Sequence, residues 1–70
     1  MNNEYIVEPC MIGDSATMED AEYIAAYLTS HGHPARADGT EGHRNSPDIE
    51  PPAQLWSEAC NACAVAHQWR

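Results

Sequence analysis

The sequence predicts one small α+β domain, spanning residues 1–70, in which an N-terminal strand or hairpin packs with two helices. Three observations support this fold class. An aromatic and β-branched run near the N-terminus favours a strand. Apolar residues recur at helical spacing over about 17–31, and an alanine-rich segment over about 52–69 has the same period. The segment 33–52 between the helices holds four Pro and two Gly, so we expect it to be irregular.

The first strand is predicted at the start of the segment 4–12, EYIVEPCMI. Pro9 interrupts this segment, so the strand should lie at a sheet edge or bulge at that position. Gly13 and Asp14 then predict a turn. After the first helix, residues 34–38 are a candidate for a short second strand.

The first helix carries signals at both of its ends. Thr17 followed by Asp20 predicts an N-cap with an acidic residue at the third helical position. Gly32 suits the position just after the helix, and Pro34 follows it. The predicted core face consists of Ala21, Ile24, Ala25 and Leu28, with Glu19 and Glu22 on the opposite side.

The second helix is predicted to start with Pro51 and Pro52 in its first turn. Its residues form two neighbouring stripes: Leu55, Ala59, Ala62 and Ala66 in one, and Trp56, Cys60, Cys63 and His67 in the other. We expect Trp69 to close over one end of the core.

The chain is strongly acidic, with eleven Asp and Glu, three Arg, no Lys and a formal net charge of −8. The first 35 residues carry six of the acids and no Lys or Arg. Such a field repels nucleic acid and anionic membranes and favours basic protein surfaces. Leu, Ile, Val and Phe together number only eight, so either a few aromatic side chains anchor a very small core or a partner supplies burial.

Three cysteines cannot all pair, and the chain contains no apolar run long enough for a secretory or membrane-spanning segment. These features predict a cytoplasmic protein with reduced thiols.

The cysteine and histidine spacing raises the question of a zinc site. Cys60, Cys63 and His67 follow one another along one predicted helix, and Cys10, His31 and His33 are candidates for a fourth ligand. Because Cys60 and His67 would be about 10 Å apart along the helix axis, all three cannot easily bind one ion, although two could do so with ligands from elsewhere. We therefore expect Cys60 and Cys63 to be small buried hydrophobes, and we predict no metal site and no cofactor.

No motif predicts catalysis. His31 and His33 have no matched nucleophile at a recognisable spacing, and no serine lies in a nucleophile-elbow sequence. A chain this short rarely encloses a pocket that excludes water. We therefore predict no catalytic residues and no enzyme activity.

Two resemblances extend these expectations. The segments Tyr5–Gly13, Met18–Leu28 and Ser30–Ala35 resemble the strand–helix–strand openings of small ferredoxin-like domains, over half of the chain. In size and charge, the chain is similar to acidic inhibitors encoded by phages and mobile elements, such as anti-CRISPR and anti-restriction proteins. Many of these occupy a basic nucleic-acid site on a host complex, so the resemblance implies such a target in the cytoplasm of a bacterial host.

We therefore expect a non-enzymatic protein-binding module that inhibits or regulates a larger complex through its acidic N-terminal half. The expected contact residues are Glu4, Glu8, Asp14, Glu19, Asp20, Glu22, Tyr23 and Tyr27. The two tyrosines belong to this set because aromatic residues concentrate binding energy at interfaces. One alternative is a structural mini-domain stabilised by zinc. The other is a homo-oligomer, such as a homodimer, in which copies of the chain bury apolar surface against one another.

Overall fold

A computed structural model describes residues 4–39 and 45–68. Along the chain it contains strand β1 (Tyr5–Val7), helix α1 (Met18–Ser30), strand β2 (Ala35–Ala37) and helix α2 (Ala53–His67). Single 3-10 turns lie at Pro9–Met11 and Pro47–Ile49. These elements confirm the predicted α+β class. The expected role of Trp69 lies outside the described residues.

The two strands form a parallel pair in which Tyr5 aligns with Ala35 and Val7 with Ala37. The ladder continues past the strand ends, because Tyr5 N–H donates to the Pro34 carbonyl at 2.9 Å. Parallel strands need a crossover connection, and α1 provides it. Within the described residues the N-terminal element is therefore a single strand and not a hairpin, and the second strand after the helix is confirmed.

The chain leaves the sheet soon after Val7. Pro9 has no N–H to donate to a strand ladder, and its fixed φ suits the first turn of a helix. Pro9–Met11 accordingly forms a 3-10 turn with a hydrogen bond from the Ile12 N–H to the Pro9 carbonyl at 3.0 Å. Of the two expectations for Pro9, the edge strand is confirmed, because both strands of the two-stranded sheet in the described residues lie at an edge. The strand ends at Val7 and does not bulge at Pro9.

Helix α1 begins and ends as predicted. Asp20 N–H donates to Thr17 Oγ1 at 3.3 Å, and Thr17 N–H donates to Asp20 Oδ2 at 2.9 Å, which completes a capping box. At the other end Gly32 has a φ of +82°, which glycine adopts at little cost. The His33 N–H then closes the turn on the Leu28 carbonyl at 2.9 Å.

Helix α2 starts one residue later than predicted, because Pro52 is extended and occupies the N-cap position. The helix ends where Gln68 turns into the left-handed region with a φ of 55°. Within the described ranges, no helix has the length and apolar character needed to cross a lipid bilayer.

The core is small and has α1 at its centre. The buried apolar residues are Tyr5, Val7, Ala21, Ile24, Ala25, Leu28, Ala59 and Cys63. The whole predicted core face of α1 is among them. Helix α2 contributes only Ala59 and Cys63 to these buried residues, one from each of its two predicted stripes. Asp20 near the start of α1 contacts Cys63 near the end of α2. His33, just after α1, contacts Ile49, just before α2, so the two helices run antiparallel.

Candidate functional site

Three of the expected contact residues are exposed acids at the start of α1. Asp14 lies in the turn before the helix, and Glu19 and Glu22 lie on the side of α1 that faces away from the core. We call these three residues the acidic surface. Among the residues that the structure describes, none of these carboxylates forms an ion pair.

The fourth acid of the expected set, Glu4, is partly neutralised. Arg36, the only Lys or Arg in the described ranges, contacts Glu4 Oε1 at 3.4 Å and Asp38 Oδ2 at 3.4 Å. Because Ala35 and Ala37 pack against the core, Arg36 between them points to the other face of the sheet. The Arg36 guanidinium therefore lies on the face of the sheet opposite to the core.

The two tyrosines of the expected set are half-buried and pack within the domain. Tyr23 meets the His67 ring edge to face, with ring centroids 5.5 Å apart. Tyr27 stacks on His31 at 4.2 Å with an angle of 17° between the rings. Each ring keeps part of its surface accessible beside the exposed side of α1.

Two of the expected contact residues are buried, so they do not belong to an exposed surface. Glu8 is 6% exposed, and its Oε1 accepts a hydrogen bond from the Cys10 thiol at 3.6 Å. Asp20 is 4% exposed, because its carboxylate turns inward to cap α1 and to contact α2. Sequence charge alone does not distinguish such structural acids from solvated ones.

Asp20, Cys63 and His67 form a compact cluster between the two helices. The Cys63 thiol donates to Asp20 Oδ1 at 3.5 Å, and its Sγ lies 3.4 Å from His67 Nδ1. His67 Nδ1 lies 2.5 Å from Asp20 Oδ1. Because a carboxylate accepts and does not donate, this contact places a proton on Nδ1. The spacing of four residues puts Cys63 and His67 on one face of α2.

This cluster contains the residue types of a cysteine–histidine–aspartate nucleophile without its geometry. In such a triad the nucleophile and the orienting carboxylate contact opposite nitrogens of the imidazole ring. Here Nδ1 of His67 faces both partners. Burial, followed by the hydrogen bond to Asp20, raises the pKa of the Cys63 thiol to about 12, so the sulfur is held as a neutral thiol.

The same three residues suit metal binding, because their ligand atoms all lie within 4.8 Å of one another. From the sequence, any two of Cys60, Cys63 and His67 could bind one ion with ligands from elsewhere, and the structure brings Cys63 and His67 together. Asp20 was not expected beside them, because the capping signal already accounted for an acid at that position. Cys60 is half-buried, and burial raises the pKa of its thiol.

The other candidate histidines have separate structural partners. His33 Nε2 contacts the Ile49 carbonyl at 2.6 Å, which fastens the second 3-10 turn to the end of α1. His31 Nδ1 contacts the Tyr27 carbonyl at 2.8 Å, at the helix C-terminus.

An open groove of about 510 Å³ lies between the start of β1 and the start of α2. Tyr5 and Trp56 meet in it edge to face, with ring centroids 6.1 Å apart. Burial, and then the negative charge of Glu50, raise the pKa of the Tyr5 hydroxyl.

No protein-family model, curated protein or solved structure matches this chain. Among the described residues, two features have side chains placed for binding: the acidic surface and the cluster of Asp20, Cys63 and His67.

Proposed function

We propose that this protein is a non-enzymatic binding module whose acidic surface docks on a basic surface of a protein partner. The observation that carries the proposal is the exposure of Asp14, Glu19 and Glu22 without an ion pair in the described part of the chain. These carboxylates extend a negative potential into solvent, which speeds the encounter with a positively charged partner and orients it.

The rigidity of α1 supports the same proposal. The opposite side of the helix is buried in the core, and both helix ends are closed by hydrogen bonds. Glu19 and Glu22 are therefore held on a fixed backbone, so little conformational entropy of the backbone is lost on binding. The accessible parts of Tyr23 and Tyr27 add apolar area beside the charges.

The partner that fits this chemistry is a protein whose basic surface binds nucleic-acid phosphates. Lys and Arg side chains arranged to bind phosphates also donate charge-assisted hydrogen bonds to carboxylates. By occupying such a surface on a CRISPR- or restriction-type complex, the module would compete with nucleic acid and inhibit the complex.

The test compares two variants with the same change in charge. In the first, the acidic surface is neutralised by Asp14→Asn, Glu19→Gln and Glu22→Gln. In the control, three exposed acids elsewhere are neutralised by Asp48→Asn, Glu50→Gln and Glu58→Gln. Asp20 is left unchanged, because its replacement would disturb the helix cap.

Each protein is used for affinity capture from a bacterial lysate at about 50 and 500 mM salt, between which the screening length falls roughly threefold. We expect the wild type and the control to retain the same protein at low salt and to release it when duplex DNA is added. The acidic-surface variant should retain about tenfold less of it, as expected when three screened surface charges are lost.

Equal capture by both variants would assign the contact to another surface. If capture depends on the acidic surface but added duplex DNA does not release the captured protein, the module does not compete with nucleic acid for the partner's surface. Capture of nothing by the wild type at low salt would contradict the binding function itself.

A further inference from the structure

We propose that Asp20, Cys63 and His67 bind one zinc ion, which fastens the end of α2 to the start of α1. The three residues come from both helices and present one carboxylate oxygen, one sulfur and one imidazole nitrogen to a common point. This inference is independent of the acidic surface, because Asp20 points away from solvent.

The distances within the cluster are close to those of a tetrahedral zinc site. With Zn–S bonds of about 2.3 Å and Zn–N and Zn–O bonds of about 2.0 Å, neighbouring donor atoms lie about 3.3–3.6 Å apart. The Cys63 Sγ distances of 3.4 Å to His67 Nδ1 and 3.5 Å to Asp20 Oδ1 meet this requirement. Only the 2.5 Å separation of Nδ1 and Oδ1 has to widen, by about 1 Å.

His67 can provide that adjustment. Its side chain is 32% exposed, whereas Cys63 is fully buried and Asp20 is held by the cap of α1. A small outward rotation of the imidazole ring would open the space between Nδ1 and the carboxylate. The partial exposure of His67 also leaves a path by which a hydrated ion can enter and a water can remain as the fourth ligand.

The donor set favours zinc over the hard cations. A thiolate and an imidazole suit Zn²⁺, whereas Mg²⁺ and Ca²⁺ prefer sites made entirely of oxygen ligands. On binding, the Cys63 thiol loses its proton to solvent and the sulfur binds the ion as a thiolate. The His67 proton moves from Nδ1 to Nε2, so that Nδ1 donates its lone pair, and Asp20 binds as the carboxylate.

The position of the cluster gives the ion a structural role. Helix α2 buries only Ala59 and Cys63 fully, so few apolar contacts hold its end against α1. An ion that binds only the folded chain stabilises it by mass action. It would therefore strengthen a helix–helix contact to which α2 contributes only two fully buried side chains.

The test uses the full chain, reduced, stripped with a chelator and then titrated with ZnCl₂ or CoCl₂. Native mass spectrometry should show one bound zinc per chain, and zinc should raise the Tm by at least about 5 °C. Co²⁺ should produce a thiolate-to-cobalt charge-transfer band and the visible absorption of tetrahedral cobalt.

Two variants remove a ligand, and two matched variants remove the same residue type elsewhere. Cys63→Ser should abolish the charge-transfer band, and His67→Gln should weaken zinc binding at least tenfold. Because His67 is partly exposed, His67→Gln tests the site even where Cys63→Ser disturbs the fold. Cys60→Ser and His31→Gln should bind zinc as the wild type does.

The proposal is overturned if the stripped wild type binds no zinc in the mass spectrum and shows no change in Tm. It is also overturned if His67→Gln binds zinc as tightly as the wild type, or if Cys60→Ser loses the cobalt band while Cys63→Ser keeps it. A neutralised acidic surface should leave zinc binding unchanged, so failure of the proposed partner binding and failure of this site are distinguishable.

Discussion

The side-chain amide of Asn45 pairs with the backbone of Ile6, 39 positions earlier, as a neighbouring β-strand would. Ile6 N–H donates to Asn45 Oδ1 at 2.8 Å, and Asn45 Nδ2 donates to the Ile6 carbonyl at 3.0 Å. In the parallel pair, the N–H and C=O of Ile6 point away from β2, so this amide occupies the outer edge of β1.

A side chain also covers part of the other sheet edge. Ala35 N–H donates to Thr29 Oγ1 at 3.1 Å, and the Thr29 hydroxyl donates to the Ala35 carbonyl at 3.1 Å. Two three-residue strands form a marginal sheet by themselves, and unpaired edge groups invite pairing with other chains. Asn45 and Thr29 thus replace, for a very short sheet, the hydrogen bonds that further strands would provide.

Replacing Asn45 by Ala should lower the free energy of unfolding by about 1–2 kcal/mol. The reason is that the half-buried N–H and C=O of Ile6 lose their partners. Asn45→Asp should also destabilise, since a carboxylate accepts from the Ile6 N–H but repels the Ile6 carbonyl. Urea denaturation measures the change, with Asn61→Ala on the exposed side of α2 as the control. A loss no larger than that of Asn61→Ala would mean that the amide pairing contributes nothing.

Asp20 should be more important for stability than its capping partner Thr17. Thr17→Ala removes one acceptor at the start of α1 and should cost about 1 kcal/mol. Asp20→Ala removes the acceptor for the Thr17 N–H and, in addition, the contacts to Cys63 and His67, so about 2–3 kcal/mol is expected. Chemical denaturation of both variants in the presence of a chelator tests whether Asp20→Ala lowers the free energy of unfolding more than Thr17→Ala does. Equal losses would show that the buried contacts add nothing to the cap.

The sequence predicted α1 well because its signals are local. The cap at Thr17, the core face and the turn at Gly32 each depend on residues within one or two helical turns. The pairing of Asn45 with Ile6 has no such local signal, because the two residues meet only once β1 and the later segment are both in place. Nothing in the neighbourhood of Asn45 distinguishes it from an ordinary polar loop residue.

The candidate site was only half predictable for the same reason. Helical spacing placed Cys63 and His67 on one face, but their partner Asp20 is 43 and 47 positions away. Glu8 and Asp20 were predicted as surface contacts because charge usually indicates exposure. Both are buried with hydrogen-bond donors that offset the cost of desolvation. Glu8 accepts from the nearby Cys10 thiol, and Asp20 accepts from the distant Cys63 thiol.

Alkaline pH should destabilise the protein through Tyr5. Burial and Glu50 raise the pKa of Tyr5 in the folded state above its ordinary value of 10.0. The folded state therefore keeps a proton that the unfolded state releases, so this contribution is constant below pH 10 and is lost as pH rises through the folded-state pKa. The slope of the loss is at most about 1.4 kcal/mol per pH unit.

Urea denaturation at pH 7, 10 and 11 measures this loss in the wild type, Tyr5→Phe and Glu50→Gln. Tyr5→Phe should lose less stability between pH 10 and 11 than the wild type, because the titrating hydroxyl is absent. Glu50→Gln should lie between them, since burial is the larger cause of the shift. Parallel stability curves for the wild type and Tyr5→Phe would show that Tyr5 has the same pKa in both states.

The contact between the helices should tolerate no larger side chain at Ala59. This residue is fully buried where α2 packs on α1, whereas Ala66, two turns later on the same helix, is exposed. Ala59→Leu should destabilise the fold by about 1–3 kcal/mol, because the added carbons force the helices apart. Ala66→Leu adds the same atoms with the same high helix propensity and should change stability by less than about 0.5 kcal/mol. Thermal and urea denaturation compare the two variants. Similar stability for both would mean that α2 rests loosely on α1, and that a bound ion, not packing, has to hold the end of this helix.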